Sequence, residues 1–349
     1  MTSVYWFLGL PFDVVRLGDV RSRIFAAASS RRQLVFATPN VSFLASAYRD
    51  PSFRDDILRT DLSIADGTPI IWLGRLLGIP FTERVAGSDL IDSLNSDPGP
   101  RQLKVYFLGG EEGVAAAAVE ALNRTRGGLI GVGACYPGFV SPEQMDGEDL
   151  IQEINRSDAD LLAVALGAAK GHRWIEANRH RLRVPVICYL GAVVNFVAGT
   201  VNRAPPVMRR MGLEWLWRIK EEPKLFRRYA RDAVYLVKAV LLEIAPQLLG
   251  RLAPHGRDPE VQTTTLADGT LSLTVHNRFG APEVARVEAQ GVFELTMRNV
   301  RHLDAAGAGW LYARHYRGTA GRATCCDVVS RTTLTTWGVC TADMLMELR

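Results

Sequence analysis

Short apolar runs that stop at glycine, proline or small polar residues alternate with stretches of helical periodicity along the first part of the chain. Gln33–Ala37 (QLVFA) predicts a strand emptying into Thr38-Pro39-Asn40, with a helix over Val41–Ser52. Leu62–Ala65 predicts a second strand, running into Asp66-Gly67-Thr68-Pro69 and a helix over Ile70–Leu77. Lys104–Leu108 (KVYFL) opens into Gly109-Gly110-Glu111-Glu112-Gly113 and an Ala-rich helix to Asn123; Leu129–Ala134, Leu161–Leu166 and Val186–Leu190 repeat the pattern. Alternating strands and helices predict an α/β fold with a mostly parallel sheet flanked by helices. Such sheets bind ligands beyond the C-terminal ends of their strands, so the loops at 38–40, 66–69, 109–113 and 167–174 are the first places to look.

The pattern changes near Arg203. RAPPVMRRMGLEWLWRIKEEPKLFRRYARDAVYLVKAVLLEIAPQLL is basic, aromatic and helical, with a break at Pro223. A linker follows at Ala253–Pro259, and beyond it strands are predicted at Leu271–Val275, Val292–Met297 and Ala323–Val328, with at least two helices. The expected division is a core over 1–202, a basic helical appendage over 203–251 and a small α/β domain over 260–349.

Composition narrows the function classes. The chain has 349 residues, 48% of them hydrophobic and 22% charged, which suits a globular protein with an ample core and excludes disordered, collagenous and coiled-coil classes. Five cysteines, scattered and without a CxxC, argue for a reducing compartment and against a disulfide scaffold or zinc site; Cys325-Cys326 is expected in a strand. MTSVYWFLGLPFD lacks the features of a signal peptide, and no window offers a membrane span. The net charge of +4 is uneven: residues 201–250 hold ten Lys and Arg against five acids, leaving the remainder close to neutral. One basic segment on a neutral body implies a local anionic partner such as phosphate, a lipid surface or nucleic acid.

Several clusters could carry chemistry. Asp66, at a strand end before Gly67, reads either as a cap for the following helix or as a general base held rigid and partly desolvated. Thr38 and Asn40 offer a hydroxyl and an amide at another strand end, again with capping as the alternative. In ERVAGSD, Gly87 and Ser88 could present backbone N–H groups to an anion, with Arg84 supplying charge and Asp89 an acid, although a solvated loop is the plain alternative. Gly109-Gly110 allows backbone N–H groups to approach a phosphate, but it is not a GxGxxG and two glutamates follow. Asp158-Ala159-Asp160 resembles a DxD metal motif but reads better as a turn, and His172 reads as a structural or solvated loop histidine rather than a catalytic one. In the basic segment Arg203, Arg209, Arg210, Arg218, Arg227 and Arg228 could clamp a diphosphate, or settle with the interleaved Met, Leu and Trp at a lipid interface, with an ordinary packed helical tail carrying a charged face as the plain alternative.

TPNVSFLASAYRDPSFRDDILRTDLSIADGTPIIWLGRLLGIPFTERVAGSDL, KVYFLGG and FVAGTVNRAPPVMRRMGLEWLWRIKEEPKLFRRY, in that order, resemble the bacterial WecG/TagA/CpsF glycosyltransferases, glycosyltransferase family 26, over roughly residues 1–235. The resemblance implies a Rossmann-like core and an inverting enzyme. Its donor would be a UDP-sugar and its acceptor a polyprenyl-diphosphate-linked saccharide at the inner membrane face, with no metal or other cofactor. It implies Asp66 as general base, Thr38 and Asn40 as positioning groups, Arg84 as a phosphate ligand, and Arg203, Arg218, Arg227 and Arg228 in an appendage that closes over the site and meets the membrane. The expected location is cytoplasmic, peripheral on that membrane, in surface-polysaccharide (exopolysaccharide) synthesis; duplex nucleic acid is not expected as a partner.

Two departures matter. The family's Pro-x-Gln-Glu is here Ala169-Lys170-Gly171-His172, and the Asp of GxxxDFxxG is here Asn195, so the donor need not be N-acetylmannosamine and a hexose such as glucose fits as well. FELTMRNVRHLDAAGAGWLYARHYR looks like the STAS fold of anti-sigma-factor antagonists, with Ala305 and Ala306 where a phosphorylatable Ser would stand. That implies a docking module for a protein partner rather than a phosphoswitch, and it keeps open an alternative in which a weak or inactive transferase fold serves as a scaffold.

Overall fold

The computed structural model describes residues 3–138, 145, 147–252, 260–265, 271–289, 294–317 and 322–325. The predicted linker at 253–259, Phe139, Cys326, Cys340 and the strand positions 292–293 and 326–328 lie outside these. In chain order the elements are β1 (Val4–Phe7), β2 (Leu10–Asp13), α1 (Leu17–Ser30), β3 (Leu34–Ala37), α2 (Val41–Arg49), α3 (Pro51–Leu58), β4 (Leu62–Ser63), α4 (Thr68–Leu76) and α5 (Gly87–Ser96). Then come β5 (Leu103–Gly109), α6 (Val114–Thr125), β6 (Leu129–Cys135), α7 (Glu148–Arg156), β7 (Leu161–Ala165), α8 (Ala168–Asn178), β8 (Val186–Tyr189) and α9 (Val193–Ala198). The basic segment forms α10 (Pro206–Arg210), α11 (Glu214–Glu221), a 3-10 turn at Pro223–Leu225, α12 (Phe226–Ala239), a π-helical turn at Val240–Ile244 and α13 (Ala245–Leu252). The last part holds β9 (Glu260–Thr265), β10 (Leu271–Phe279), α14 (Ala281–Ala289), β11 (Glu294–Leu303), α15 (Ala305–Tyr316) and β12 (Arg322–Cys325).

By packing, the chain divides into two units that do not follow chain order. One comprises 15–72 and 82–236; the other comprises 1–14, 73–81 and 237–349. In the larger unit six strands form a wholly parallel sheet in the order β4-β3-β8-β7-β5-β6. Its inner strands β3, β8, β7 and β5 are buried on both faces, and alternate residues serve opposite layers. Val105, Phe107, Leu161, Ala163, Val186 and Cys188 enter one apolar cluster with α1, α5, α6 and α9. Tyr106, Leu108, Leu162, Val164 and Ile187 enter another with Trp174 and Ile175 of α8. Thus the predicted α/β sheet flanked by helices is what the sequence builds.

Local chemistry corrects one boundary. The helix expected over Val41–Ser52 is two helices. Asp50, extended at φ −126° and ψ 99°, closes α2 and caps α3 through its carboxylate to the Ser52 and Phe53 N–H groups, with Pro51 in the first turn. A residue before proline is pushed out of the helical region, and Asp is a strong cap, so the break is built into Asp50-Pro51.

In the smaller unit, β9–β12 form a four-stranded sheet in the order β12-β11-β10-β9, antiparallel only at β9–β10. The predicted strand-to-helix turn is present: Asp304 caps α15 by accepting from the Ala306 and Gly307 N–H groups at 2.8 and 3.0 Å. The hairpin β1–β2 belongs to this unit and packs its β1 on α15. Trp6 meets Tyr312 at 5.8 Å between ring centroids, and Gly309 has no side chain where the Val4 backbone passes.

Candidate active site

Three loops of the larger unit are tied together at the C-terminal ends of β3 and β4. The Ile64 N–H donates to Ala37 O, the Asp66 N–H to Pro39 O and the Val85 N–H to Ala65 O, at 2.9, 3.0 and 3.2 Å. This lacing brings Thr38, Asn40, Asp66 and Arg84 to one place, with α5 starting directly behind at Gly87. Asn40 caps α2, its side-chain oxygen accepting from the Phe43 N–H at 3.3 Å. Thr38 is buried, and its hydroxyl makes no hydrogen bond among the described residues. Asp66 does not cap α4: Gly67, at φ +123°, supplies the carbonyl for the Ile70 and Ile71 N–H groups, and the Asp66 carboxylate bonds nothing among the described residues.

The consequence is electrostatic. Burial disfavours the charged carboxylate and pushes the Asp66 pKa from its ordinary value up to about 7. Arg84 and Arg203 pull it down, while Glu214 and Asp89 add to the rise. A carboxylate that titrates near neutrality is a competent proton acceptor under ordinary conditions.

Around it lies a lattice of arginines and acids. Arg84 donates from Nη1 to Glu214 Oε2 at 2.7 Å and from Nη2 to Asp89 Oδ2 at 2.8 Å. The other Asp89 oxygen accepts from Arg203 Nη2 at 2.6 Å and Arg209 Nη1 at 3.1 Å. Burial works against the charged Asp89, but the Arg203 hydrogen bond and the charges of Arg84, Arg203 and Arg209 outweigh it and hold the carboxyl below its usual range. Arg203 also reaches Ser88 Oγ at 2.9 Å and pairs with Asp92. Arg203 and Arg218 both lie over the Phe196 ring, at 5.9 and 5.5 Å. Asn195, the neighbour of Phe196 on α9, is half-buried. Gly212 lies close against Thr68, where any added Cβ would collide with that side chain at 2.8 Å.

Other predicted residues sit differently. Arg228 lies over Tyr229 and, with Arg218, opposes the burial that pushes the Tyr189 hydroxyl up to about 12. Arg227 is exposed. Gly109 and Gly110 stand at the end of β5, but the Gly110 N–H donates to Ala165 O at 2.9 Å, and a Cβ on Gly109 would lie 2.7 Å from that same oxygen. These glycines let β5 and β7 pass closely, so the Gly110 N–H is not presented to an anion. The DxD pair is consumed by structure: Asp160 takes both outer nitrogens of Arg101 at 2.7 and 2.8 Å, and Asp158 takes Lys104 at 2.8 Å. Among the described residues no three His, Cys, Asp or Glu side chains converge so as to hold a metal ion. His172 is on α8, packed among Phe43, Phe53 and Tyr189 at 5.3 to 5.9 Å, and burial alone drives its pKa down to about 3. Gly171 leaves the room that Tyr189 occupies, an added Cβ coming within 2.7 Å of its ring.

Glu214 was not among the expected site residues. It stood in view in GLEW, but a glutamate beside tryptophans on an amphipathic helix carries no mark of a partner 130 positions away.

Residues 5–248 match the profile described as Glycosyl transferase WecG/TagA/CpsF family. The chain is 28% identical over 227 residues to an N-acetylglucosaminyldiphosphoundecaprenol N-acetyl-beta-D-mannosaminyltransferase of Bacillus spizizenii strain W23, covering 64% of this chain and 86% of the relative. Relatives with the same name from Staphylococcus aureus strains MW2 and NCTC 8325 are each 24% identical over 233 residues, covering 66% of this chain and 90% of theirs. A match over most of the chain, spanning the laced loops and the arginine-bearing segment alike, shows that this protein belongs to the WecG/TagA/CpsF family of glycosyl transferases.

Proposed function

We propose that this chain transfers a hexose from a UDP-sugar to a polyprenyl-diphosphate-linked saccharide, with inversion at the anomeric carbon and Asp66 as general base. The observation that carries this reading is the Asp66 carboxylate itself, unbonded among the described residues at a strand end and titrating near 7. In the reaction Asp66 takes the proton of an acceptor hydroxyl as that oxygen attacks the anomeric carbon. The bond to the UDP oxygen breaks on the opposite face, and UDP leaves with the electron pair. Arg84, Arg203, Arg218 and Arg228 would meet the growing diphosphate charge, with Thr38 and Asn40 orienting the reacting sugar. Named relatives act on a diphosphoundecaprenol-linked N-acetylglucosamine, which supports a polyprenyl-linked acceptor here. Lys170-Gly171-His172 and Asn195 leave the donor open between N-acetylmannosamine and another hexose such as glucose: Gly171 and His172 are buried against Tyr189 and offer no side-chain amide to a substrate.

The same reading places the protein peripherally on the cytoplasmic face of the membrane, in exopolysaccharide or other surface-polymer synthesis. Support comes from Val207, Met211, Trp215 and Leu216, large apolar side chains exposed among the arginines of the basic segment. No helix among the described residues is long and apolar enough to cross a membrane. For the C-terminal unit the reading is a STAS-like docking module without a phosphoswitch, supported by the Asp304-capped helix that starts at Ala305-Ala306.

The test is UDP release from a panel of UDP-sugars presented with a polyprenyl-diphosphate-linked acceptor, with Asp66→Asn alongside. Acceptor-dependent release from one donor, lost in Asp66→Asn, is the expected result. Undiminished release by Asp66→Asn would overturn the role of the base. Failure of every UDP-sugar to bind would overturn the transferase reading.

A further inference from the structure

Arg84 is the leading counter-charge of Asp66, yet both of its outer nitrogens are taken by other carboxylates. Nη2 goes to Asp89, which α5 carries five positions along the chain and which Arg203 and Arg209 also claim. Nη1 goes to Glu214, delivered by α11. A guanidinium engaged edge-on with a carboxylate makes two parallel hydrogen bonds, the strongest pairing these groups have, and it lowers an acid's pKa by roughly 1–3 units. With Nη1 released, Arg84 could turn that edge to Asp66. The other charged groups facing Asp66 are Asp89 and Arg203, and they already hold each other.

We propose that Glu214 is a positioning residue for the base: it restrains Arg84 from pairing edge-on with Asp66, so that the carboxylate stays free to accept the proton of the acceptor hydroxyl. This rests on the reading of Asp66 as general base. It also makes the base dependent on a residue that only the docked basic segment supplies.

The coupling is measurable without knowing the donor. The melting temperature of the full chain minus that of its Asp66→Asn variant, followed from pH 4 to 9, falls as pH rises and levels off at the folded pKa of Asp66, an upper break expected near 7. In the Glu214→Gln background, isosteric and uncharged, that break is expected to fall by about one pH unit. Glu214→Ala should move it the same way and Glu214→Asp should restore part of the shift. The acid limb of kcat/KM should move in step. A merely structural role would lower melting temperatures at every pH and leave the break in place. A break unmoved by both Glu214→Gln and Glu214→Ala, with Asp66→Asn still inactive, overturns the role of Glu214 and leaves the base standing. An active Asp66→Asn overturns both.

Discussion

Arg317 grips Asp13 through both ends of its guanidinium, Nη1 to Oδ1 at 2.7 Å and Nη2 to Oδ2 at 2.9 Å, across 304 positions of the chain. The pair is buried, and Tyr312 lies against the guanidinium at 5.2 Å. Removing one partner of a buried pair strands the other charge. Asp13→Ala is therefore expected to cost about 3–5 kcal/mol, read by urea unfolding with tryptophan fluorescence. Arg317→Met added to it should recover part of that loss, since the stranded charge then disappears. Equal losses in the single and double variants would show that the pair is not what holds the hairpin. Deleting 256–349 removes α15 from under β1 and uncovers Trp6, so the expected outcome is loss of soluble protein.

Asp66 yields a pH prediction with a definite sign. Its folded pKa of about 7 lies above its ordinary 3.8, so the native state binds the proton more tightly than the unfolded chain does. That contribution is complete below the ordinary pKa and is lost as pH rises through 7. Asp66→Asn should therefore melt higher than the parent at pH 8, with the advantage vanishing below pH 4. Turnover should fall by about 10²–10⁴-fold, the usual worth of a general base. A variant no more stable than the parent at pH 8 would contradict the raised pKa.

His172 predicts the opposite slope. Its depressed pKa, about 3 against an ordinary 6.5, means that the unfolded chain takes up a proton the folded one refuses. Stability is full above 6.5 and is lost as pH falls toward 3, by about 2 kcal/mol between pH 6.5 and 5. His172→Leu should flatten this acid limb while leaving stability near pH 8 little changed. An identical acid limb in the two proteins would refute the assignment.

Two glycines in one loop should respond differently. Gly109 has φ +101° and a backbone oxygen 2.7 Å from where a Cβ would stand, whereas Gly113 has φ +78° and open space around it. Gly113→Ala carries only the backbone penalty, of about 1 kcal/mol. Gly109→Ala adds a collision with Ala165 that neither strand can relieve, and should cost at least about 2–3 kcal/mol by denaturant unfolding. Similar losses at the two positions would mean the β5–β7 approach is looser than described.

The parallel sheet was legible because its inner strands are buried on both sides and stand out as unbroken apolar runs between glycines and short polar turns. The hairpin β1–β2 was not. Its turn is Leu8-Gly9, both at positive φ, and leucine is a poor residue for that conformation where Asn or Asp would have flagged it. Asp66 and Asp89 could be picked out because one follows a strand end and the other lies in the first turn of a helix, with Arg84 in the short loop just before that helix, where local sequence carries the information. Glu214 and the fate of the Gly110 N–H are set by partners far along the chain, and no local pattern encodes them.

The register of β3 has a kinetic consequence. This strand sits inside the sheet, yet its partner β8 spans Val186–Tyr189, so Leu34–Phe36 cannot be bracketed on both edges until most of the larger unit has been synthesised. At translation rates of about 5–20 residues per second the wait is roughly 8–30 s, and β1–β2 waits longer still for α15. Through that interval the nascent chain carries an apolar, edge-bonding segment with nothing to close on. Yield from the ribosome should therefore depend on chaperone supply and growth temperature more steeply than the equilibrium stability of the finished protein would suggest.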